Sequence, residues 1–286
     1  MQRQDIVFEA NGAKLAGWVC RPDGAGDKAA VLVLSHGFTA VKEMGLAEYA
    51  EAFTAAGFVC LVYDHRNWGD SAGWPRCETD PWQQVADLRE AISAARRLPG
   101  VDGGRLGLWG TSYSGGHALT VAALDRRVRA VVAQVPLVSG ARTFDAWVPA
   151  DKRARFLERL AKDWDARAAG SPPAVSVAAP PGSETDLWAK AVDKAGRYAN
   201  AVTLRSFDLM RGYEPIAFAA AIAPTPLLMI VADQDTQTPV AWQREAFALA
   251  GEPKRLVELP GRHYDPYTAL FKQSSEAAVA WFRQYL

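Results

Sequence analysis

Two serines one residue apart stand in Trp109-Gly110-Thr111-Ser112-Tyr113-Ser114-Gly115-Gly116, directly behind the apolar run at 106–109. Small residues two positions before and two after a serine, between a buried strand and a helix, allow a strained turn that lifts the hydroxyl clear of a sheet as a nucleophile. Ser112 has Gly110 and Ser114 at those positions, and Ser114 has Ser112 and Gly116. The strand decides between them: its apolar run ends at Trp109, immediately before Gly110, which sets the turn at Ser112. The helical pattern that follows, 117–124, would aim free backbone N–H groups and a positive dipole end at a developing oxyanion.

A serine hydroxyl is a weak nucleophile at neutral pH and needs a base. Of the four histidines, His263 lies in Leu259-Pro260-Gly261-Arg262-His263-Tyr264, between a strand-like run and the last helical pattern. Open α/β sheets gather their sites at that end of the strands. The partner acid is sought in Ala232-Asp233-Gln234-Asp235-Thr236-Gln237-Thr238-Pro239. Asp235 lies further beyond its strand and can lean towards the histidine loop, whereas Asp233 can hold the turn through backbone hydrogen bonds. A carboxylate there would fix the imidazole tautomer and stabilise the imidazolium without taking the proton.

Short apolar runs alternate with amphipathic ones, as in a mostly parallel sheet flanked by helices. Strands are expected at 5–10, 14–21, 30–34, 58–63, 106–109, 128–135, 227–231 and 255–259, about eight in all, the first two joined by an Asn11-Gly12 turn. Asp80-Pro81-Trp82-Gln83 reads as a capping box opening a helix that runs to about Leu98, before Pro99-Gly100. Thr238-Pro239 is expected to open another in the same way, and the last starts near Ser275. Residues 140–212 break the rhythm: no strand-like run, two proline clusters, and Trp147, Trp164 and Trp188. A structureless loop of that length is unusual. Residues 140–212 therefore read as a mostly helical lid inserted into a core of 1–139 and 213–286.

The remaining composition narrows the class. The 286 residues are 49% hydrophobic, and 32 Lys and Arg balance 32 Asp and Glu. Zero net charge gives no electrostatic reason for a nucleic-acid or anionic-membrane partner. No apolar stretch approaches the roughly 20 residues that span a bilayer, and the start MQRQDIVFEANGAKLAGW has no signal-peptide core. Three cysteines without a CxxC pair, and histidines without HExxH spacing, argue against disulfides and zinc and for a cytoplasmic setting. Neither a metal nor another cofactor is expected. The expected partner is a small acyl substrate, and the chain could pair with copies of itself.

With these segments together the sequence resembles the α/β-hydrolase family over nearly its whole length. The order Ser112, Asp235, His263 is that family's order. Ser35-His36-Gly37-Phe38 follows the third strand, and Asp64-His65-Arg66-Asn67-Trp68-Gly69-Asp70-Ser71 follows the fourth, similar to the family's Asp-x-Arg-Gly-x-Gly-x-Ser loop with Asn67 in place of the first glycine. Asp235 to Pro239 also matches the family's Asp-x-x-x-Pro acid loop. The resemblance implies an oxyanion hole from the backbone N–H groups of Phe38 and Tyr113, a bracing role for His36, and a cap at 140–212. It also implies structural roles for His65 and His117. From Ser35 through Gly116 the chain is most similar to an esterase- and peptidase-like branch that includes thiohydrolases and acyl transferases of polyketide pathways. The expected activity is hydrolysis of a carboxylic ester or thioester through an acyl-enzyme on Ser112. Trp68, Trp147 and Tyr264, with Phe38 and Tyr113, are the candidate wall of an acyl or aryl pocket. Acyl transfer, amide or peptide cleavage, and a non-catalytic binding protein are the alternatives.

Overall fold

The computed structural model of the chain describes residues 1–24 and 28–286. Side chains alternate across a strand, so one run of buried residues serves two cores. In β3 (Ala29–Ser35), Val31 and Val33 face one apolar cluster while Leu32 and Leu34 face another. The first cluster is closed by α2 (Pro81–Ala95), α3 (Tyr113–Leu124) and α8 (Val240–Leu249); the second by α1 (Leu46–Ala55) and α9 (Phe271–Tyr285). Strands covered on both faces must be apolar throughout. The fully buried runs of β4 (Val59–Tyr63), β6 (Ala130–Gln134) and β9 (Leu227–Ala232) meet that demand.

The eight strands lie in the order β1-β2-β4-β3-β5-β6-β9-β10, where β1 is Gln2–Ala10, β2 Ala13–Arg21, β5 Val101–Thr111 and β10 Lys254–Leu259. The pairs β1/β2 and β2/β4 are antiparallel, and the rest are parallel. The chain fills one side of β3 with β4 and then crosses to the other with β5. That reversal opens a crevice beyond the strands' carboxyl ends, where such sheets bind ligands. Register sets what meets there. Ser35 pairs with Gly110, so the loop after β3 runs beside Ser112; Leu259 pairs with Ala232, so the loops carrying Asp235 and His263 are neighbours.

Between β6 and β9 the chain leaves the sheet for α4 (Gly140–Trp147), α5 (Ala150–Ala168), α6 (Glu184–Val192) and α7 (Leu204–Arg211). The expectation of no strand there is corrected: β7 (Val175–Val177) and β8 (Ala201–Thr203) form an antiparallel pair. Three other details differ. Asp80 caps α2 by accepting from the backbone N–H of Trp82 and Gln83, but α2 ends at Ala95. Helix α9 begins four residues before Ser275. Thr238 does not cap α8, which starts one residue later than that reading needs. Among the described residues no helix is long and apolar enough to cross a membrane.

Candidate active site

Ser112 sits between the end of β5 and the start of α3 with φ 53° and ψ −118°, a strained conformation for a residue with a side chain. Its N–H donates to the Gln134 carbonyl at 2.8 Å, and its own carbonyl accepts from Leu137 N–H at 2.8 Å, so the loop after β6 pins the turn. A Cβ at position 110 would stand 2.1 Å from the Ser114 carbonyl oxygen, which is why the turn needs Gly110. The hydroxyl of Ser112 meets His263 Nε2 at 3.0 Å, and His263 Nδ1 meets Asp235 Oδ2 at 2.8 Å. The three residues sequence analysis selected are thus brought into one hydrogen-bonded chain. His263 and Asp235 are buried.

Asp235 is surrounded by donors. Its Oδ1 accepts from the N–H groups of Gln237 (2.9 Å) and Thr238 (3.0 Å), and its Oδ2 from Gln243 Nε2 at 3.0 Å. The Thr238 hydroxyl lies 2.9 Å from Oδ2 and 3.0 Å from the Val135 carbonyl, so its single proton serves one of them. Burial pushes the Asp235 carboxyl up, but His263 beside it and the donors of Thr238 outweigh burial and hold it below the ordinary carboxylate value. Asp233 accepts from Gly261 N–H at 2.9 Å and so ties the acid loop to the histidine loop.

Ser114 has a different environment. It is fully buried and donates its one proton to the His36 carbonyl at 2.5 Å, so its oxygen must accept from His65 Nε2–H at 2.7 Å. His65 N–H donates to His36 Nε2, which leaves the His36 proton on Nδ1 facing the Gly37 carbonyl. Both rings are neutral in this arrangement, and burial lowers the affinity of both for a second proton. His117, between Tyr213 and Gln84, completes a buried histidine row behind the serine turn. Asn67 takes the left-handed φ of 72° at the position the family usually gives to glycine. Asparagine tolerates that region better than most residues.

Ser112 and His263 open into a cavity of about 720 Å³. Gly37 packs on the serine: a Cβ there would stand 3.1 Å from Ser112 Cβ. The N–H groups of Phe38 and Tyr113 donate to no backbone carbonyl among the described residues. Phe38, Trp147 and Phe207 form an aromatic wall, with Phe38 at 5.4 Å from Trp147 and 5.9 Å from Phe207. Trp147 is held by its Nε1–H donating to the Gln237 carbonyl at 3.0 Å. Tyr264 also lines the cavity, and Trp188 stacks on it at 4.7 Å and 20°. Tyr113 is corrected as a wall residue: its side chain is buried behind Phe38 at 5.2 Å and does not line the cavity. Trp68 is corrected: it does not line the cavity, because its buried indole turns inward and donates to the Glu78 carbonyl at 3.0 Å.

A family model described as X-Pro dipeptidyl-peptidase (S15 family) matches residues 11–265. The chain belongs to the S15 family of α/β-hydrolases. A thiohydrolase of Eupenicillium brefeldianum is 33% identical to this S15-family chain over 267 residues, covering 88% of this chain and 84% of that one. A polyketide transferase of Stachybotrys chlorohalonatus is 31% identical over 270 residues, covering 90% and 88%. The solved structure of an α/β-hydrolase from Penicillium sp. sh18 is similar at a TM-score of 0.88 with 25% identity, covering 100% and 99%.

Two features of the S15-family chain escape sequence analysis. Gln243 comes from α8 and reaches Asp235 only once that helix is folded onto the sheet; no local pattern marks it. Lys152, Arg155 and Arg159 of α5 line the cavity, whose lining among the described residues includes no Asp or Glu. Their spacing of three and four residues sets them on one helix face, a signal the sequence does carry.

Proposed function

We propose that this protein hydrolyses a carboxylic ester or thioester through an acyl-enzyme on Ser112, with residues 140–212 acting as a lid. The observation that carries the reading is the unbroken relay from Ser112 through His263 to Asp235, opening into the aromatic-walled cavity. Ser112 Oγ attacks the carbonyl carbon as its proton passes to His263 Nε2. Asp235 stabilises the imidazolium. The N–H groups of Phe38 and Tyr113 receive the oxyanion, and their lack of backbone acceptors among the described residues supports that role. The carbon–oxygen or carbon–sulfur bond to the leaving group then breaks, and His263 returns the proton to it. Water deprotonated by His263 attacks the acyl-enzyme and releases the acid.

The family's description names a dipeptidyl-peptidase. A substrate of that kind presents an ammonium terminus, and a lining that among the described residues has three cations and no Asp or Glu opposes one. Ester and thioester carbonyls make no such demand. Acyl transfer is the second reading, favoured by the polyketide transferase relative: the same acyl-enzyme reacts with an alcohol, amine or thiol in place of water. A cytoplasmic setting fits the free thiols of Cys20, Cys60 and Cys77. The test is labelling by a fluorophosphonate probe together with a substrate panel of esters, thioesters and anilides. Labelling abolished by Ser112→Ala, with turnover of esters or thioesters, is expected. Labelling that survives Ser112→Ala overturns the assignment, and almost exclusive acyl transfer at low acceptor concentration replaces hydrolysis with the second reading.

A further inference from the structure

Helix α5 carries ten charged side chains over nineteen residues, and several of them are paired. Arg153 pairs with Asp145 at 3.3 Å, Lys162 with Glu158 at 2.6 Å, and Arg167 with Asp163 at 2.9 Å. The cavity-facing set is Lys152, Arg155 and Arg159, and none of these three makes an ion pair among the described residues. All three are exposed, on the lid side of the cavity that opens on Ser112 and His263. Cations three and four residues apart repel one another along a helix. An apolar acyl chain needs none of them, since the aromatic wall of Phe38, Trp147 and Phe207 already serves it. The arrangement gains from an anion inside the cavity.

We propose that Lys152, Arg155 and Arg159 bind an oxyanion group, carboxylate or phosphate, carried by the substrate away from its scissile carbonyl. The proposal rests on the reading that Ser112 receives the acyl group, and it deepens that reading by naming the substrate's charge. The acyl chain lies along the aromatic wall with its carbonyl at Ser112, and the charged end reaches α5. Guanidinium groups suit this task because their fork matches both carboxylate and phosphate oxygens. The anion can sit on the acyl part, as in the monoester of a dicarboxylic acid, or on the leaving group, as in a coenzyme A thioester.

Binding is measured on the full chain carrying Ser112→Ala, so that turnover does not interfere. One pair of probes is the monomethyl and dimethyl ester of the same medium-chain dicarboxylic acid. The other is an acyl-coenzyme A and the N-acetylcysteamine thioester of the same acyl group. In at least one pair the anionic member should bind roughly tenfold tighter, as a few partly exposed charge contacts allow. High salt should erode the preference, and adding Arg155→Gln and Arg159→Gln should remove it. A preference in the first pair assigns the anion to the acyl part, and in the second to the leaving group. Equal binding within both pairs, no binding by any member, or a preference that survives the double substitution overturns the proposal. Fluorophosphonate labelling of the unsubstituted chain reports on Ser112 separately, so the two readings fail independently.

Discussion

Gln243 Nε2 lies 3.0 Å from Asp235 Oδ2, the same carboxylate oxygen that meets His263. Gln243 is fully buried on α8, so the helix stands behind the acid as a brace. Gln243→Ala should lower kcat roughly ten- to hundredfold with little change in KM, because losing one hydrogen bond to a charged group costs roughly 1.5–3 kcal/mol and acts on the orientation of His263. Asp235→Asn should be far more severe, approaching 10⁴-fold in kcat by way of the wrong imidazole tautomer. Steady-state kinetics on both variants checks this. A Gln243→Ala enzyme that loses stability but keeps its kcat would show the brace to be structural alone.

The two serines separate by what each one's neighbours need. Ser112→Ala should leave only about 10³–10⁴-fold acceleration over water while the chain still folds. Ser114→Ala removes the acceptor of the buried His65 Nε2–H, a loss of roughly 1–3 kcal/mol of stability. It should keep fluorophosphonate labelling at Ser112. Urea unfolding and probe labelling, run on both variants, distinguish the outcomes; a stable, unlabelled Ser114→Ala variant contradicts the assignment.

Stability should fall on the acid side because of the histidine row. Burial pulls the imidazoles of His36, His65 and His117 below their usual 6.5, that of His117 to about 3. Below about pH 6.5 the unfolded chain takes up protons that these buried rings refuse, so the unfolded state binds more protons and gains. The contribution is complete above about 6.5 and erodes as the pH falls from there towards 3. Each refused proton costs about 1.4 kcal/mol per pH unit in that window. The urea midpoint should therefore drop steadily from neutral pH to about 5; a flat midpoint would mean that the rings protonate within the fold.

The proximity of Ser112, His263 and Asp235 is legible in the sequence because each follows a strand-like run, buried before Ser112 and Asp235 and only partly covered before His263, and parallel strands deliver their carboxyl ends to one edge of the sheet. The same logic gives the main sheet its eight strands. It does not give β7 and β8, whose three-residue runs are too short to show alternation. Trp68 misleads because adjacency to a site loop says nothing about which way a side chain turns, and the Glu78 carbonyl turns this one inward. Thr238 reads as a helix cap from its place before Pro239, yet α8 starts one residue later than that reading needs, and the Thr238 hydroxyl lies between the Asp235 carboxylate and the Val135 carbonyl. Gln243 depends on tertiary packing alone.

Trp188 and Trp164 test the proposed lid role from opposite sides. Trp188 lines the cavity and stacks on Tyr264, the neighbour of His263, and Tyr264 donates its hydroxyl to Thr185 at 2.7 Å. Trp164 is outside the lining, half exposed, donating to Asp208 at 3.1 Å with Arg167 over its ring at 4.3 Å. A large acyl substrate uses remote contacts to reach the transition state, and a small activated ester draws little from them. Trp188→Ala should therefore cut kcat/KM for a long-chain ester by roughly ten- to hundredfold more than for an acetyl ester, since an aromatic contact with its burial is worth a few kcal/mol. Trp164→Ala should leave that ratio unchanged. Equal losses on small and large substrates in Trp188→Ala would make the segment a surface extension with no part in substrate selection.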